Sequence, residues 1–351
     1  MANLNNSDIL FLESPEFSDL RTLLENSYGF KIISSYLPPF ISFTSRKAVL
    51  ETDNGTYFLK EKPLYCSNKR SRDLSVYFQN FLSQTLKIVP VVLRTLDGNH
   101  YVQWSARFLF LTEFKVGRVF NGSETDIEHI LEELKNFQEA SKMFGSASKV
   151  DGTDRTQFWL ENKKDSYHTL KFFPLLEKKA KTDTEKTELR RIQYLISILK
   201  REYDTIPKPK YVISHGDFAL FNILLDDKGV LSINDFDNVE LFPRVHDLAE
   251  FLVSASLIHY LGPMSNLRLP VFLRPTENIF NKVLAFYSRH LEISSEEIRL
   301  LAITSEIIWL EILLLAVLKE DYTVSDTLIA IKKIEQGYLR SRIQQTMHML
   351  K

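Results

Sequence analysis

Asp217, Asn222 and Asp235 are polar residues whose types and spacing could do chemistry, and all three fall within residues 213–237. His215-Gly216-Asp217 reads as a tight turn, and Asn222 follows Asp217 by five residues. Ile223, Leu224 and Leu225 read as a short buried strand. Asp226-Asp227-Lys228-Gly229 is turn chemistry, with Gly229 free to take positive φ. Val230, Leu231 and Ile233 read as the return strand, and Asp235 stands at its end. A hairpin of this length is expected to bring the three polar residues near one another. An aspartate base, an asparagine and a second aspartate are the set that phosphoryl transfer uses. The base accepts the proton of the attacking hydroxyl, and the other two hold magnesium on the nucleotide phosphates.

The same residues admit other readings, which the rest of the chain disfavours. Leu231 to Val239 also resembles the Asp-x-Asp motif of haloacid-dehalogenase-type phosphatases, but that motif opens a parallel-sheet domain and only helical patterns follow here. A calcium loop counted from Asp235 needs glycine at its sixth position and finds Glu240. Turn-capping carboxylates would explain either half of the motif alone, and the ordered pair less well. His-Gly-Asp, then Asn222, then Asp-Phe-Asp after a hairpin resembles the aminoglycoside phosphotransferase and choline kinase group. These are small-molecule relatives of the protein kinases, and the nearest likeness is to the spore-coat-associated, CotS-like bacterial branch. The resemblance implies Asp217 as catalytic base, Asn222 and Asp235 as metal ligands, and ATP and Mg2+ as cofactors. The partner implied is a small-molecule acceptor, with spore-coat proteins as the alternative.

Those residues need elements to hold them. From about Phe30 to Tyr101 the pattern is β-rich. Ile41–Thr52 and Tyr57–Lys60 are strands around Asp53-Asn54-Gly55, and Val89–Leu96 and His100–Trp104 form a second hairpin around Asp97-Gly98. Asp73–Leu86 has helical spacing at Leu74, Tyr77, Phe78, Phe81 and Leu82. Phe108–Phe114 is a further strand. Lys60 ends a hairpin strand, where a lysine resembles the kinase lysine on the α- and β-phosphates, and Lys62 is the alternative on the same strand face. No Gly-x-Gly-x-x-Gly occurs, so the turn Phe43–Lys47 would cover the phosphates with Ser45 and Arg46. Thr112, Glu113, Phe114 and Lys115 are the candidates to meet adenine, through backbone hydrogen bonds, with no side-chain role read for Glu113. Residues 73–86 contain no glutamate for Lys60, which leaves Asp73 or the nucleotide itself as counter-charge.

After Ser123 the chain turns helical. Helices are expected over 155–176, 184–204, 244–260, 275–291, 295–319 and 324–347, with Ser294 and Glu297 as a capping box for the fifth. The resemblance implies that Asp247 braces the catalytic turn through backbone amides. His215 is read as a hydrogen-bonding support, His246 as an exposed or capping histidine, and Asp237 as either a metal ligand or a turn cap. The expected fold is α+β and bilobal, protein-kinase-like. Residues 1–26 form a leading segment, 27–115 a small β-rich nucleotide-binding lobe, and 116–351 a larger helical lobe carrying the hairpin 213–237.

Composition fits this class. With 351 residues the chain is long enough for two lobes. The formal net charge is −1, which supplies no bulk field for nucleic acid or anionic membrane. A single cysteine, Cys66, excludes a disulfide within the chain. The N-terminus lacks a signal-peptide pattern, and Ile307–Leu318, interrupted by Glu311, reads as a buried core helix rather than a membrane span. A cytoplasmic location is expected, with spore-coat association as the alternative.

Overall fold

The computed structural model describes residues 17–36, 46–62, 69–105, 107–120, 123–147, 176–178, 180–207, 211–256, 277–290, 293–318 and 328–349. Two compact units result. The first comprises Met1–Arg118 and Ile223–Glu240, and the second Val119–Asn222 and Leu241–Lys351. The hairpin of the motif is therefore counted with the N-terminal unit.

The first unit is built on an antiparallel five-stranded sheet ordered β1-β2-β3-β5-β4, with β1 at Ile32–Tyr36, β2 at Lys47–Thr52, β3 at Gly55–Glu61, β4 at Val102–Trp104 and β5 at Arg107–Glu113. Alternation along the strands sorts side chains between two faces. Leu59, Leu109 and Leu111 join Leu20 and Leu24 of helix α1 (Ser18–Tyr28) in one buried cluster. Phe110 faces the other way and packs with Val76 of helix α2 (Lys69–Thr85). Lys47 pairs across β2 and β3 with Lys60, and Lys60 across β3 and β5 with Phe110.

The expected hairpin of Val89–Leu96 with His100–Trp104 does not form. Its turn exists, with Gly98 at φ 80° and its amide on Thr95 O (2.8 Å). Its arms instead lie end to end on one edge of β5, where Val92 bridges Thr112 and Val102 pairs with Leu109. The α2 face also differs from expectation. Ser75, Val76, Phe78, Gln79 and Leu82 are buried and Tyr77 is exposed, because Gln79 donates to Pro90 O (2.8 Å) and Ser75 meets a lysine. Strands β7 (Ile223–Asp226) and β8 (Gly229–Ile233) pair as expected, with Gly229 at φ 126°. Arg118 N and O bond Leu225 O and N at 2.9 and 2.8 Å, and Ile233 N donates to Ile88 O, which secures this hairpin to the unit.

The second unit is helical. Its elements are α3 (Glu124–Ala147), α4 (Asp183–Thr205), the short strands β6 (Tyr211–Ser214) and β9 (Glu240–Pro243), and the helices α5 (His246–Ser256), α6 (Glu277–His290), α7 (Ser295–Leu318), α8 (Leu328–Glu335) and α9 (Tyr338–Met349). The helix expected over 155–176 lies outside the described residues. The Ser294–Glu297 capping box forms, with both reciprocal bonds present at 3.2 and 3.0 Å. The helix expected over 324–347 is divided at Gly337, which takes φ 64° and donates to Ile334 O. Helix α7 is the core of the unit, with Trp309 fully buried on it, and α5 and α9 pack on it. No described helix is long and apolar enough to cross a membrane.

Candidate functional site

In the first unit the sheet places three lysines on one face and the hairpin end brings two aspartates to them. Asp235 follows β8 and sits in the left-handed region at φ 67°, ψ 63°. A non-glycine residue there is uncommon, and it re-aims the chain into the short 3-10 turn Phe236–Asn238. Phe236 anchors that turn against Phe78 of α2. Lys60 Nζ forms ion pairs with both Asp235 and Asp237. Lys47 Nζ lies 3.6 Å from Asp235. Lys62 Nζ bonds Asp237 Oδ1 and Ser75 Oγ, both at 2.7 Å, over the ring of Phe110 at 4.9 Å. Lys60, Lys62 and Asp237 are all buried.

The electrostatics follow from that packing. Burial opposes the charge on Lys60, but attraction to Asp235 and Asp237 outweighs it and holds the ammonium above the ordinary lysine range. Lys47 goes the other way. Burial, with repulsion from Lys60, lowers it to about 8 against the pull of Asp235. Three ammonium groups thus face two carboxylates, and the cluster keeps a positive excess suited to an anion. The counter-charge expected from α2 is supplied from elsewhere: Lys60 has two aspartates, and Asp73 acts on His100. Asp237, read from the sequence as either a metal ligand or a turn cap, holds two lysines at once.

The remaining candidates of this unit divide. Ser45 lies outside the described residues. Arg46 Nε bonds Glu61 Oε2 at 2.8 Å, and Arg107 bonds both oxygens of Glu61 at 3.0 Å. Burial raises Glu61 against the pull of Arg46. Thr112 is buried on β5 opposite Phe58, Glu113 is exposed, and the Phe114 amide donates to Thr56 O (3.3 Å).

In the second unit the turn His215-Gly216-Asp217 is held from behind. Gly216 takes φ 77°, which a side chain would strain. Asp247 at the start of α5 accepts the amides of His215 and Gly216, each at 2.9 Å, so the brace that the family resemblance implies is present. Burial pushes the Asp247 carboxyl up to about 6 against those two bonds. His246 is buried rather than exposed, because its ring stacks on Phe242 at 3.9 Å and meets the Gly216 backbone. Burial lowers it to about 3, so it is neutral. His215 is fully buried between Phe137 and Phe218.

Beyond the turn, Asn222 Nδ2 donates to Asp217 O at 2.9 Å, so the structure brings these two residues together and turns the NH2 end of Asn222 toward that carbonyl. Leu220 N donates to Ser254 Oγ (3.2 Å), a second tie to α5. Glu250 was not singled out by sequence. Burial, with repulsion from Asp217, Glu311 and Asp247, raises its carboxyl well above the usual range. The available signal was its place one turn after Asp247 on the same helix face.

Residues 40–263 match the family model described as "Phosphotransferase enzyme family". A search of curated protein sequences finds no match. Among solved structures, spectinomycin phosphotransferase in complex with ADP and spectinomycin is 15% identical, with TM-score 0.59 over 93% of this chain and 98% of that one. Amicoumacin kinase in complex with AMP-PNP, Ca2+ and Ami is 13% identical, with TM-score 0.62 over 95% and 97%. The microcompartment-associated aminopropanol kinase is 14% identical, with TM-score 0.53 over 94% and 98%. These likenesses bear out the α+β fold, with a β-rich N-terminal part and a larger helical C-terminal part.

Proposed function

We propose, for a chain that belongs to the phosphotransferase enzyme (APH) family, an ATP- and magnesium-dependent transfer of phosphate to a hydroxyl of a small molecule. The observation that carries this reading is the basic cluster of Lys47, Lys60 and Lys62 gathered on Asp235 and Asp237. Its positive excess suits phosphate oxygens, and its carboxylates suit a hard divalent cation, which takes oxygen ligands. Lys60 would hold the α- and β-phosphates, and Asp235 and the Asn222 side-chain oxygen would hold magnesium. Bound magnesium supplies charge neutralisation on the phosphates. Asp217 would accept the proton of the acceptor hydroxyl, on a turn kept in place by Asp247. Most of the acceleration would come from positioning and charge, as phosphoryl transfer demands.

The acceptor class has support from the relatives, three of which are by name kinases or phosphotransferases of small molecules. The rival reading is a weakly catalytic or non-catalytic assembly protein on a kinase-like scaffold, such as a spore-coat component, and the absence of a glutamate in residues 73–86 speaks for it. The ion pairs of Lys60 with Asp235 and Asp237 favour the catalytic reading, because they give the lysine the counter-charge that the helix lacks. The test is a thermal-shift measurement with ATP and magnesium, followed by a screen of alcohols with radiolabelled ATP. Stabilisation of about 2.7 kcal/mol at a hundredfold excess over the dissociation constant is expected. No shift, and no labelled product, would refute the reading.

A further inference from the structure

The two aspartates of Asp235-Phe236-Asp237 differ in their surroundings. The Asp235 side chain keeps 19% of its surface exposed and its backbone is in the left-handed region. It is held by Lys60 and, at 3.6 Å, by Lys47. The Asp237 side chain is 2% exposed and is gripped at both oxygens, Oδ2 by Lys60 and Oδ1 by Lys62. Lys62 in turn is fixed by Ser75 of α2 and by Phe110 of β5. Asp237 is therefore locked to the sheet and to α2, whereas Asp235 sits at the cluster's open side. Helix α2 offers no glutamate of its own.

We propose that Asp237 and Lys62 form a permanent clamp that positions Lys60, doing from the hairpin what a glutamate on α2 would do, and that Asp235 is the exchangeable carboxylate that leaves Lys60 for the metal. The proposal rests on the phosphotransferase reading above. It assigns Asp237 and Lys62 as positioning residues that touch neither metal nor acceptor. When Asp235 turns to a cation, Lys60 keeps one carboxylate and does not collapse onto another partner. Its ammonium stays at a fixed place beside the phosphates.

The experiment compares Asp237→Asn, Lys62→Met, the double variant and Asp235→Asn. Each is measured by thermal unfolding of the free protein, by calorimetric ATP binding with and without magnesium, and by turnover on whatever acceptor the alcohol screen yields. Asp237→Asn is expected to lower the unfolding temperature of the free protein, since two buried ammonium groups lose their shared carboxylate. The double variant should recover part of that loss, because breaking a buried pair costs more than removing it whole. It should still show kcat/KM for ATP reduced about 10–100-fold, the usual effect of losing an orienting partner. Asp235→Asn should destabilise the free protein less than Asp237→Asn, because Asp235 is the more exposed partner of Lys60, and should abolish only the magnesium-dependent part of ATP binding. The clamp is overturned if Asp237→Asn removes the magnesium dependence and leaves the unfolding temperature unchanged, for then Asp237 is itself a metal ligand. It is also overturned if the double variant shows strict additivity. Wild-type protein that binds no ATP in magnesium would overturn the phosphotransferase reading itself, an outcome distinct from either of these.

Discussion

Replacing Asp247 by asparagine should separate the stability of this protein from its activity. The carboxylate is buried and accepts two backbone amides at 2.9 Å, yet burial leaves its pKa at about 6 rather than 3.8. A shift of about two units means that the ionised form costs about 3 kcal/mol of folding free energy relative to the neutral one. The folded chain holds this proton more tightly than the unfolded chain. Its contribution to stability is therefore full below about pH 4 and lost as pH rises through about 6. Asparagine carries no charge to bury, but its one side-chain oxygen serves one amide and leaves the other facing an NH2 group, a loss of about 1–3 kcal/mol. The two terms nearly cancel at pH 7, and the variant should be between equally stable and about 2 kcal/mol more stable there. At pH 4 it should be the less stable by about 1–3 kcal/mol. Turnover should fall by up to about 100-fold, because the turn that carries Asp217 loses one of its two pins. Urea unfolding at several pH values, with activity at pH 7, measures both. A variant several kcal/mol less stable at pH 7, or a stability difference that does not change between pH 4 and 7, would refute the reasoning.

Further substitutions probe other parts of the chain. Asp217→Asn should abolish phosphoryl transfer by about 10²–10⁴-fold while calorimetric ATP binding survives, and near-normal turnover would exclude it as the base. Arg340→Met strands Glu306, which is fully buried and whose carboxyl burial pushes up to about 7 despite Arg340. The expected loss is about 3 kcal/mol at pH 8 and less at pH 6, where the carboxyl can take up a proton, read by denaturant midpoints. Gly117→Ala puts a Cβ 3.0 Å from Leu225 O and from side-chain atoms of Leu224 and Leu231, and should cost about 1–3 kcal/mol by the same assay.

Local pattern carried much of this fold. Period-two and helical spacing located β2, β3, β5, α2 and the later helices, capping chemistry located the start of α7, and turn residues located the β7–β8 hairpin. The bracing role of Asp247 is what the family resemblance implies, and the two amide bonds from His215 and Gly216 supply it. What escaped was set by packing between distant segments. The counter-ions of Lys60 lie about 175 residues away in sequence, and no spacing rule reaches that far. The α2 face was misassigned because its buried stripe includes Ser75 and Gln79, polar residues whose partners lie outside the helix. His246 reads as a surface residue until Phe242 is placed on its ring. The end-to-end sharing of the β5 edge depends on register, which a list of strand-forming stretches does not contain.

The discontinuity of the first unit also sets a timetable for its biosynthesis. Residues up to Arg118 leave the ribosome well before Ile223–Glu240, the stretch that completes the unit. The gap, roughly a hundred residues, lasts roughly 5 to 20 seconds at ordinary translation rates. Throughout it Lys60 and Lys62 have no Asp235 or Asp237 to pair with, and closing the sheet over unpaired ammonium groups is costly. Completion of the N-terminal part therefore waits on a segment encoded after the first helices of the other unit. A fragment ending at Arg118 should remain unfolded, and supplying the hairpin in trans as a peptide is the way to rescue it.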